Sequence, residues 1–143
     1  MLNNKTALYA GSFDPFHPGH QAIVTKALQL FDLLYLVVTW NPDKDNCSQV
    51  SKNYQIIKDL YQNEPRVIVL QNTTKLTAHL AKELGVQWLI RSARNNSDYG
   101  YELELACGNK ELNPELETIL IVPDCQDIKY QSRLIRHKEK FNV

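Results

Sequence analysis

Gly11-Ser12-Phe13-Asp14-Pro15-Phe16-His17-Pro18-Gly19-His20 follows the apolar run Ala7-Leu8-Tyr9-Ala10 and leads into a segment whose apolar residues recur at helical spacing. A strand that turns directly into a helix start is an anion-binding arrangement. The first amides of a helix have no partner inside it and point outward with the positive end of the helix dipole, so a phosphate placed there is stabilised. His17 and His20 flank that position.

Around this stretch, apolar segments too short for helices alternate with longer segments of helical period, the pattern of a parallel sheet covered by helices. Strands are expected at Ala7–Ala10, Leu33–Thr39, Val67–Leu70, Trp88–Ile90 and Thr118–Val122, each continuously apolar enough to be buried on both faces. Ile23, Ala27, Leu28 and Leu30-Phe31 mark a helix after the first strand, and Tyr54, Ile57, Leu60 and Tyr61 mark a second. Leu76, Leu80 and Leu84 mark a third, closed by Gly85; Tyr101, Leu105, Gly108 and Leu112 form one stripe of a fourth that ends before Pro114. There is no internal repeat or linker. The expected architecture is therefore α/β: a single doubly wound five-stranded parallel sheet with helices on both faces, residues 1–143 forming one domain. Open sheets of this kind bind ligands beyond the carboxyl ends of their strands, where the opening motif and the segments after Ile90 and Val122 all fall.

Composition narrows the partners. With 143 residues the chain is long enough for one real core and too short for a second recognition domain. Sixteen basic and sixteen acidic side chains cancel, so there is no broad cationic field for nucleic acid or anionic membranes, and a small-molecule partner fits better. Cys47, Cys107 and Cys125 are odd in number and lack Cys-x-x-Cys spacing, which reads as cytosolic thiols rather than a disulfide framework or zinc knuckle. The N-terminus has no signal-peptide apolar stretch, and no run of about 18 apolar residues could span a bilayer. A soluble cytoplasmic protein is expected.

The opening motif is neither the Gly-x-Gly-x-x-Gly of dinucleotide folds nor a P-loop. What remains is His-x-Gly-His at a helix start: Gly19 lets backbone approach a phosphate, and the histidines supply imidazole donors. Isolated, two histidines three apart read as well as metal ligands or a solvated turn. The preceding strand, the Gly-Ser-Phe-Asp-Pro lead-in and the following helix resemble the nucleotidyltransferase superfamily.

From about Thr6 to Arg136 the chain resembles one family of that group, the bacterial phosphopantetheine adenylyltransferases. The resemblance rests on Gly11-Ser12-Phe13-Asp14-Pro15 with Gly19-His20, on Asn41-Pro42-Asp43-Lys44, on Ile90-Arg91-Ser92-Ala93-Arg94 through Asp98-Tyr99-Gly100-Tyr101-Glu102, and on Asn109-Lys110-Glu111-Leu112-Asn113-Pro114-Glu115-Leu116-Glu117-Thr118. It implies adenylyl transfer from ATP to the phosphate of 4′-phosphopantetheine, giving dephospho-coenzyme A and pyrophosphate, with magnesium accompanying ATP. It also implies a homohexamer and feedback binding of coenzyme A. The attacking phosphate is already ionised, so such a reaction needs no protein nucleophile. The protein must align two polyanions and neutralise the charge that accumulates.

By the same resemblance, His20, Lys44 and Arg94 would be the catalytic cations and donors, His20 at the α-phosphate and Arg94 at the ATP phosphates. Ser12 would bridge ATP and the incoming phosphate, which Lys44 and Arg91 would hold, with Thr77 beside the pantetheine arm. Phe13, His17, Ser92, Ala93, Glu102, Asp127, Ser132 and Arg133 would complete the ATP site; no protein metal ligand is expected. Read without the family, Lys44 is an ordinary loop lysine and Glu102 and Glu104 an exposed helix face. Tyr99 and Tyr101 read as core or subunit-contact aromatics, Trp40 and Trp88 as packing residues, His79 and His137 as surface.

The chain also departs from the family pattern. His17 stands where threonine is common, Ser92 where glycine is common, and only Ser132 remains of an Ile-Ser-Ser-Ser run; Thr77 replaces a larger apolar residue. Ending at Val143, the chain reads as a minimal, diverged enzyme. Two alternatives stay open: nucleotidyl transfer to another phosphate such as nicotinate mononucleotide, and a nucleotide-binding protein that has lost catalysis.

Overall fold

The computed structural model describes residues 5–42, 47–124 and 132–142, with backbone alone at 47–48 and 132–135. Five strands, β1 (Thr6–Gly11), β2 (Leu33–Thr39), β3 (Val67–Asn72), β4 (Trp88–Arg91) and β5 (Glu117–Leu120), pair in parallel in the order β3-β2-β1-β4-β5. Between and after them run α1 (Pro18–Leu30), α2 (Cys47–Leu60), α3 (Thr77–Leu84), α4 (Asn96–Leu112) and α5 (Ser132–Lys140). The order reverses at β1, the central strand, whose carboxyl end carries the opening motif.

Residues alternate across the central strands, so each face of the sheet has its own core. Ala7 and Tyr9 join Leu34, Leu36, Val38 and Ile90 beneath Ile23, Val24 and Ala27 of α1 and Val50 and Ile57 of α2. Leu8, Ala10, Val37 and Leu89 join Ala78 and Ala81 of α3 on the other face. Helices therefore cover both faces, as expected of continuously apolar strands.

The expected elements are recovered with shifts that have causes. β5 begins one residue early and stops at Leu120 because its sole neighbour, β4, ends at Arg91, the register partner of Leu120. Val122, expected inside that strand, is exposed, and its carbonyl accepts a hydrogen bond from Lys26 Nζ at 2.7 Å instead. Gly85 closes α3 in the left-handed region at φ 70°, where glycine carries no Cβ penalty. Trp40 and Trp88, expected to pack, are only about two-thirds covered.

The stripe read on α4 needs correction. Tyr101 and Leu112 are exposed, as is Tyr99, and the buried residues of the helix are Glu102 and Asn109. Asn113, its C-cap, donates through Nδ2 to the Ala78 carbonyl at 3.0 Å and so ties α4 to α3. This helix turns polar side chains inward.

Candidate active site

At the carboxyl end of β1 the chain enters Gly11-Ser12 and then Phe13, whose φ of 48° lies in the left-handed region that a bulky residue rarely adopts. Its ring is buried and meets Tyr9, Phe16 and His20 edge-on, with centroids 5.2, 5.2 and 5.1 Å away. A Cβ on Gly11 would sit 3.0 Å from that ring, so the glycine makes room for it. Asn53 of α2 donates to the Ser12 carbonyl at 3.3 Å and holds the turn from the side.

His17 is the N-cap of α1, and the two histidines cap the helix reciprocally. His17 Nδ1 accepts from the Gly19 amide at 3.0 Å, and His20 Nδ1 accepts from the His17 amide at 3.2 Å. The rings stack 3.8 Å apart. Gly19 has its own reason to be glycine here, since a Cβ would lie 2.7 Å from the His17 ring. A nitrogen that accepts a backbone N–H carries no proton, so each neutral imidazole keeps its proton on Nε2 and has that N–H to donate. Burial and, in smaller part, the neighbouring His17 and Arg94 lower the His20 pKa to about 4, so His20 is a neutral donor at ordinary pH.

This pairing revises the expected anion site. Pro18 has no amide proton, the Gly19 amide serves His17, and the Gln21 amide bonds the His17 carbonyl at 3.1 Å. Of the helix-start amides, only that of His20 shows no partner among the described residues. The imidazole Nε2–H groups replace most of the amide array. With both Nδ1 atoms occupied, the reading of the pair as chelating metal ligands is disfavoured.

The second corner lies where β4 meets α4. Arg91 donates from Nε and Nη2 to the two carboxylate oxygens of Glu102, at 2.8 and 2.7 Å, and from Nη1 to the Ala10 carbonyl at 2.9 Å. That last bond fixes the guanidinium one residue before the Gly11 turn. Burial works against the arginine charge, but the hydrogen bonds and charge of Glu102 outweigh it and raise the pKa. Glu102 is 5% exposed, so the reading of it as an exposed helix face is wrong, whereas Glu104 is exposed.

Arg94 projects from the same turn. Its amide and Nε both donate to Asp98 Oδ2 at 3.2 Å, while Asn95 caps α4 by accepting from the Asp98 amide at 2.8 Å. Ser92 and Ala93 are half-buried between the arginines. Among the described residues the only non-glycine positions with positive φ are Phe13 and Asn142, so serine at 92 costs no left-handed strain.

Between α3 and α4 a cavity of about 330 Å³ opens beside Arg91. Leu76, Leu89, Leu105 and Leu112 give it aliphatic walls, and Thr77 and Asn109 add polar ones. Leu105, Gly108 and Leu112, taken in the sequence as a packing stripe, line this space. Asn109 is 8% exposed, and its side-chain amide has no hydrogen-bond partner among the described residues. Composition does not single it out, because a buried asparagine breaks the apolar period rather than marking it.

The structure thus groups Ser12, Phe13, His17 and His20 at one corner and Arg91, Ser92, Ala93, Arg94 and Glu102 at the other, with Thr77 sharing the cavity of Arg91. The Arg94 charge acts on His20, which links the corners. Lys26 of α1 reaches the Val122 carbonyl and pairs with Asp124 at 2.8 Å, fastening the segment after β5 to the helix that the histidines cap. Lys44 and Asp127, and the side chains of Ser132 and Arg133, lie outside the described residues.

The chain is similar to known proteins along most of its length. Residues 8–138 match the cytidylyltransferase-like family. A phosphopantetheine adenylyltransferase of Mycoplasma mycoides is 38% identical over 94% of this chain and 96% of its own, and one from Streptococcus uberis is 36% identical over 85% and 73%. Among solved structures, the lipopolysaccharide core biosynthesis protein of Thermoplasma volcanium superposes with a TM-score of 0.60 at 17% identity, covering 87% of this chain and all of its own. A NadR protein in complex with NAD and AMP-PNP gives 0.61 at 19% identity over 97% of this chain and 43% of its own. At such identities these structures speak for the fold.

Proposed function

The chain belongs to the phosphopantetheine adenylyltransferase family, within the cytidylyltransferase-like proteins, and we propose that it transfers the adenylyl group of ATP to 4′-phosphopantetheine, giving dephospho-coenzyme A and pyrophosphate. The observation that carries this reading is the Arg91 to Ala10 bond, which sets the cavity and the histidine corner against the same strand end. The cavity suits a slender chain with amide and hydroxyl groups. Its aliphatic walls take methylenes and methyls, and the Asn109 amide, without a partner among the described residues, meets a polar group that would otherwise be desolvated. An aromatic acceptor such as nicotinate mononucleotide would find no ring to stack on among the lining residues.

In this reading the acceptor phosphate sits on Arg91, with Lys44 and Ser12 beside it, and attacks the α-phosphorus in line. One P–O bond forms as the bond to the pyrophosphate oxygen breaks, and no proton need leave the nucleophile. His20 donates Nε2–H to the charge that grows on the α-phosphate, with His17 next to it. Being neutral, it requires no counter-ion and keeps the same protonation state across the working pH range. Arg94, already oriented by Asp98, presents a guanidinium to the polyphosphate, whose three linked groups a bidentate cation suits. Phe13, Ser92, Ala93, Glu102, Asp127, Ser132 and Arg133 belong to the nucleotide side in the family pattern.

Magnesium is expected to accompany the nucleotide. Among the described residues no three His, Cys, Asp or Glu side chains cluster to hold a metal, and both Nδ1 atoms are occupied. By the family resemblance the ion would accompany ATP and offset the charge of its phosphates. Residues 1–143 act as one domain in this account. A cytoplasmic location goes with the family; among the described residues no helix is long and apolar enough to cross a membrane. A homohexamer is the expected assembly, and the exposed Tyr99, Tyr101 and Leu103 of α4 offer it apolar surface.

The test supplies ATP and magnesium with 4′-phosphopantetheine, nicotinate mononucleotide or glycerol 3-phosphate, the last also with CTP, and measures pyrophosphate release. Release with 4′-phosphopantetheine alone is expected. Release with another acceptor would reassign the substrate, and none at all, with ATP still bound, would make the chain a nucleotide-binding protein.

A further inference from the structure

We propose that Asn72 and Asn113 are positioning residues for the acceptor cavity, which hold from two sides the turn that carries Leu76 and Thr77. The inference rests on the reaction proposed above. Leu76 and Thr77 line the cavity and neither asparagine does, so both act through its wall. Asn72, at the end of β3, is 8% exposed and winds the following loop around its side chain. Its Oδ1 accepts from the Thr74 and Lys75 amides at 3.3 and 3.0 Å, and its Nδ2 donates to the Lys75 carbonyl at 2.8 Å. Its own carbonyl accepts from the Trp40 amide at 3.2 Å, which fastens the loop to the sheet. Asn113, 4% exposed, reaches over from the end of α4 and donates to the Ala78 carbonyl at 3.0 Å. Lys75 and Ala78 are thus both anchored, and the two residues between them line the cavity.

Packing alone would hold that turn poorly. Leu76, the N-cap of α3, makes no side-chain cap bond, and a helix of eight residues is too short to persist on its own. Its buried residues, Ala78 and Ala81, have short side chains that lie close to the sheet but interlock little with it. Leu76 of α3 and Leu105 and Leu112 of α4 wall an open space, and apolar walls are drawn together when nothing separates them. Hydrogen bonds have a set length and direction, so anchors at two backbone carbonyls keep α3 at its distance from α4. A buried amide adds only modestly to stability even when bonded, which makes packing a poor account of two of them around one turn.

Steady-state kinetics of N72A and N113A, each first checked for cooperative thermal unfolding, test this. Each is expected to raise KM for 4′-phosphopantetheine about tenfold, part of the roughly 100-fold cost of a misplacement of about 1 Å, and to leave KM for ATP unchanged. L84A, at the far end of α3, is the control for lost stability. Leu84 packs against the core and does not line the cavity, so this variant should lower the unfolding midpoint and leave KM for the acceptor as in the wild type. An equal rise in KM for ATP, an equal effect of L84A, or an unchanged acceptor KM in either asparagine variant would overturn the proposal. N72D keeps the two accepted amide bonds and loses the donation to Lys75, so an intermediate KM is expected; N113D loses the donation to Ala78 and should match N113A. Either stands in where an alanine variant fails to fold. Binding of 4′-phosphopantetheine without ATP, followed by calorimetry, reads the same wall without turnover. A weakening of about tenfold in N72A and N113A supports the positioning role, and equal affinity, or no binding to the wild type, overturns it. Pyrophosphate release by the wild type tests the reaction separately: its absence with binding retained would remove the reaction and leave the wall.

Discussion

In the proposed reaction the two corners of the site meet the same demand, binding phosphate, by opposite physical means. At the start of α1 the reacting-end donor, His20, is neutral: the two imidazoles hold each other and the helix end through Nδ1, and turn Nε2 outward. At the start of α4 the donors are charged, and carboxylates orient them, Glu102 for Arg91 and Asp98 for Arg94. A neutral donor among Phe13, Phe16 and His17 needs no counter-ion and is little affected by salt. The arginines bring long-range attraction, but their geometry depends on partners eleven and four residues further along the chain. In the proposed reaction, steering and holding thus belong to one corner, and stabilisation at the reacting phosphorus to the other.

The largest effect should therefore come from the neutral corner and appear in the rate. His20→Ala is expected to lower kcat about 100- to 1,000-fold, the usual loss for one preorganised donor, with KM for either substrate changed far less. The kinetics of pyrophosphate release measure this. If His20→Ala raised KM for ATP and left kcat alone, His20 would be a ground-state anchor, and the division between the corners would fail.

Gly19→Ala probes the same corner without removing a donor. The added methyl would lie 2.7 Å from His17 Cε1 and 2.9 Å from Nδ1, so the ring must leave its cap. Losing such a cap costs about 1 kcal/mol of stability, which urea unfolding will show, and the freed imidazole should lower kcat less than His20→Ala does. A variant with wild-type stability and rate would mean that the stacked pair is not what organises the helix start.

The sequence made the fold readable and hid the partners. Buried parallel strands announce themselves as unbroken apolar runs, so β2 is found residue for residue and the others nearly so; β5 slips because an edge strand stops with its single neighbour. Helix α4 misleads because periodicity counts apolar residues, whereas its inward face carries Glu102 for an ion pair and Asn109 for a cavity. His17, His20, Arg91 and Arg94 stand out by residue type and by their place after strands. Nothing in their spacing says that the histidines spend Nδ1 on backbone or that Arg91 is held from α4. Those facts appear only once a strand end, a turn and a helix are brought together.

The smallest effect concerns acid, and it separates the corners by titration. The folded-state pKa of His20 lies near 4, below the ordinary value of 6.5, because burial, and with it the neighbouring His17 and Arg94, disfavours protonation. Between those two values the unfolded chain takes up a proton that the folded chain refuses. Stability from this group is thus intact above pH 6.5, declines as pH falls toward 4, and changes no further below. His20 is half-buried, so solvent screening keeps the effect modest. Unfolding midpoints in urea at pH 7 and pH 5 should fall further for the wild type than for His20→Ala, and the His20 ring protons should titrate near pH 4 by NMR. A midpoint near 6.5 would show a solvated, chargeable imidazole, and the histidine corner would then be cationic like the arginine corner it was contrasted with.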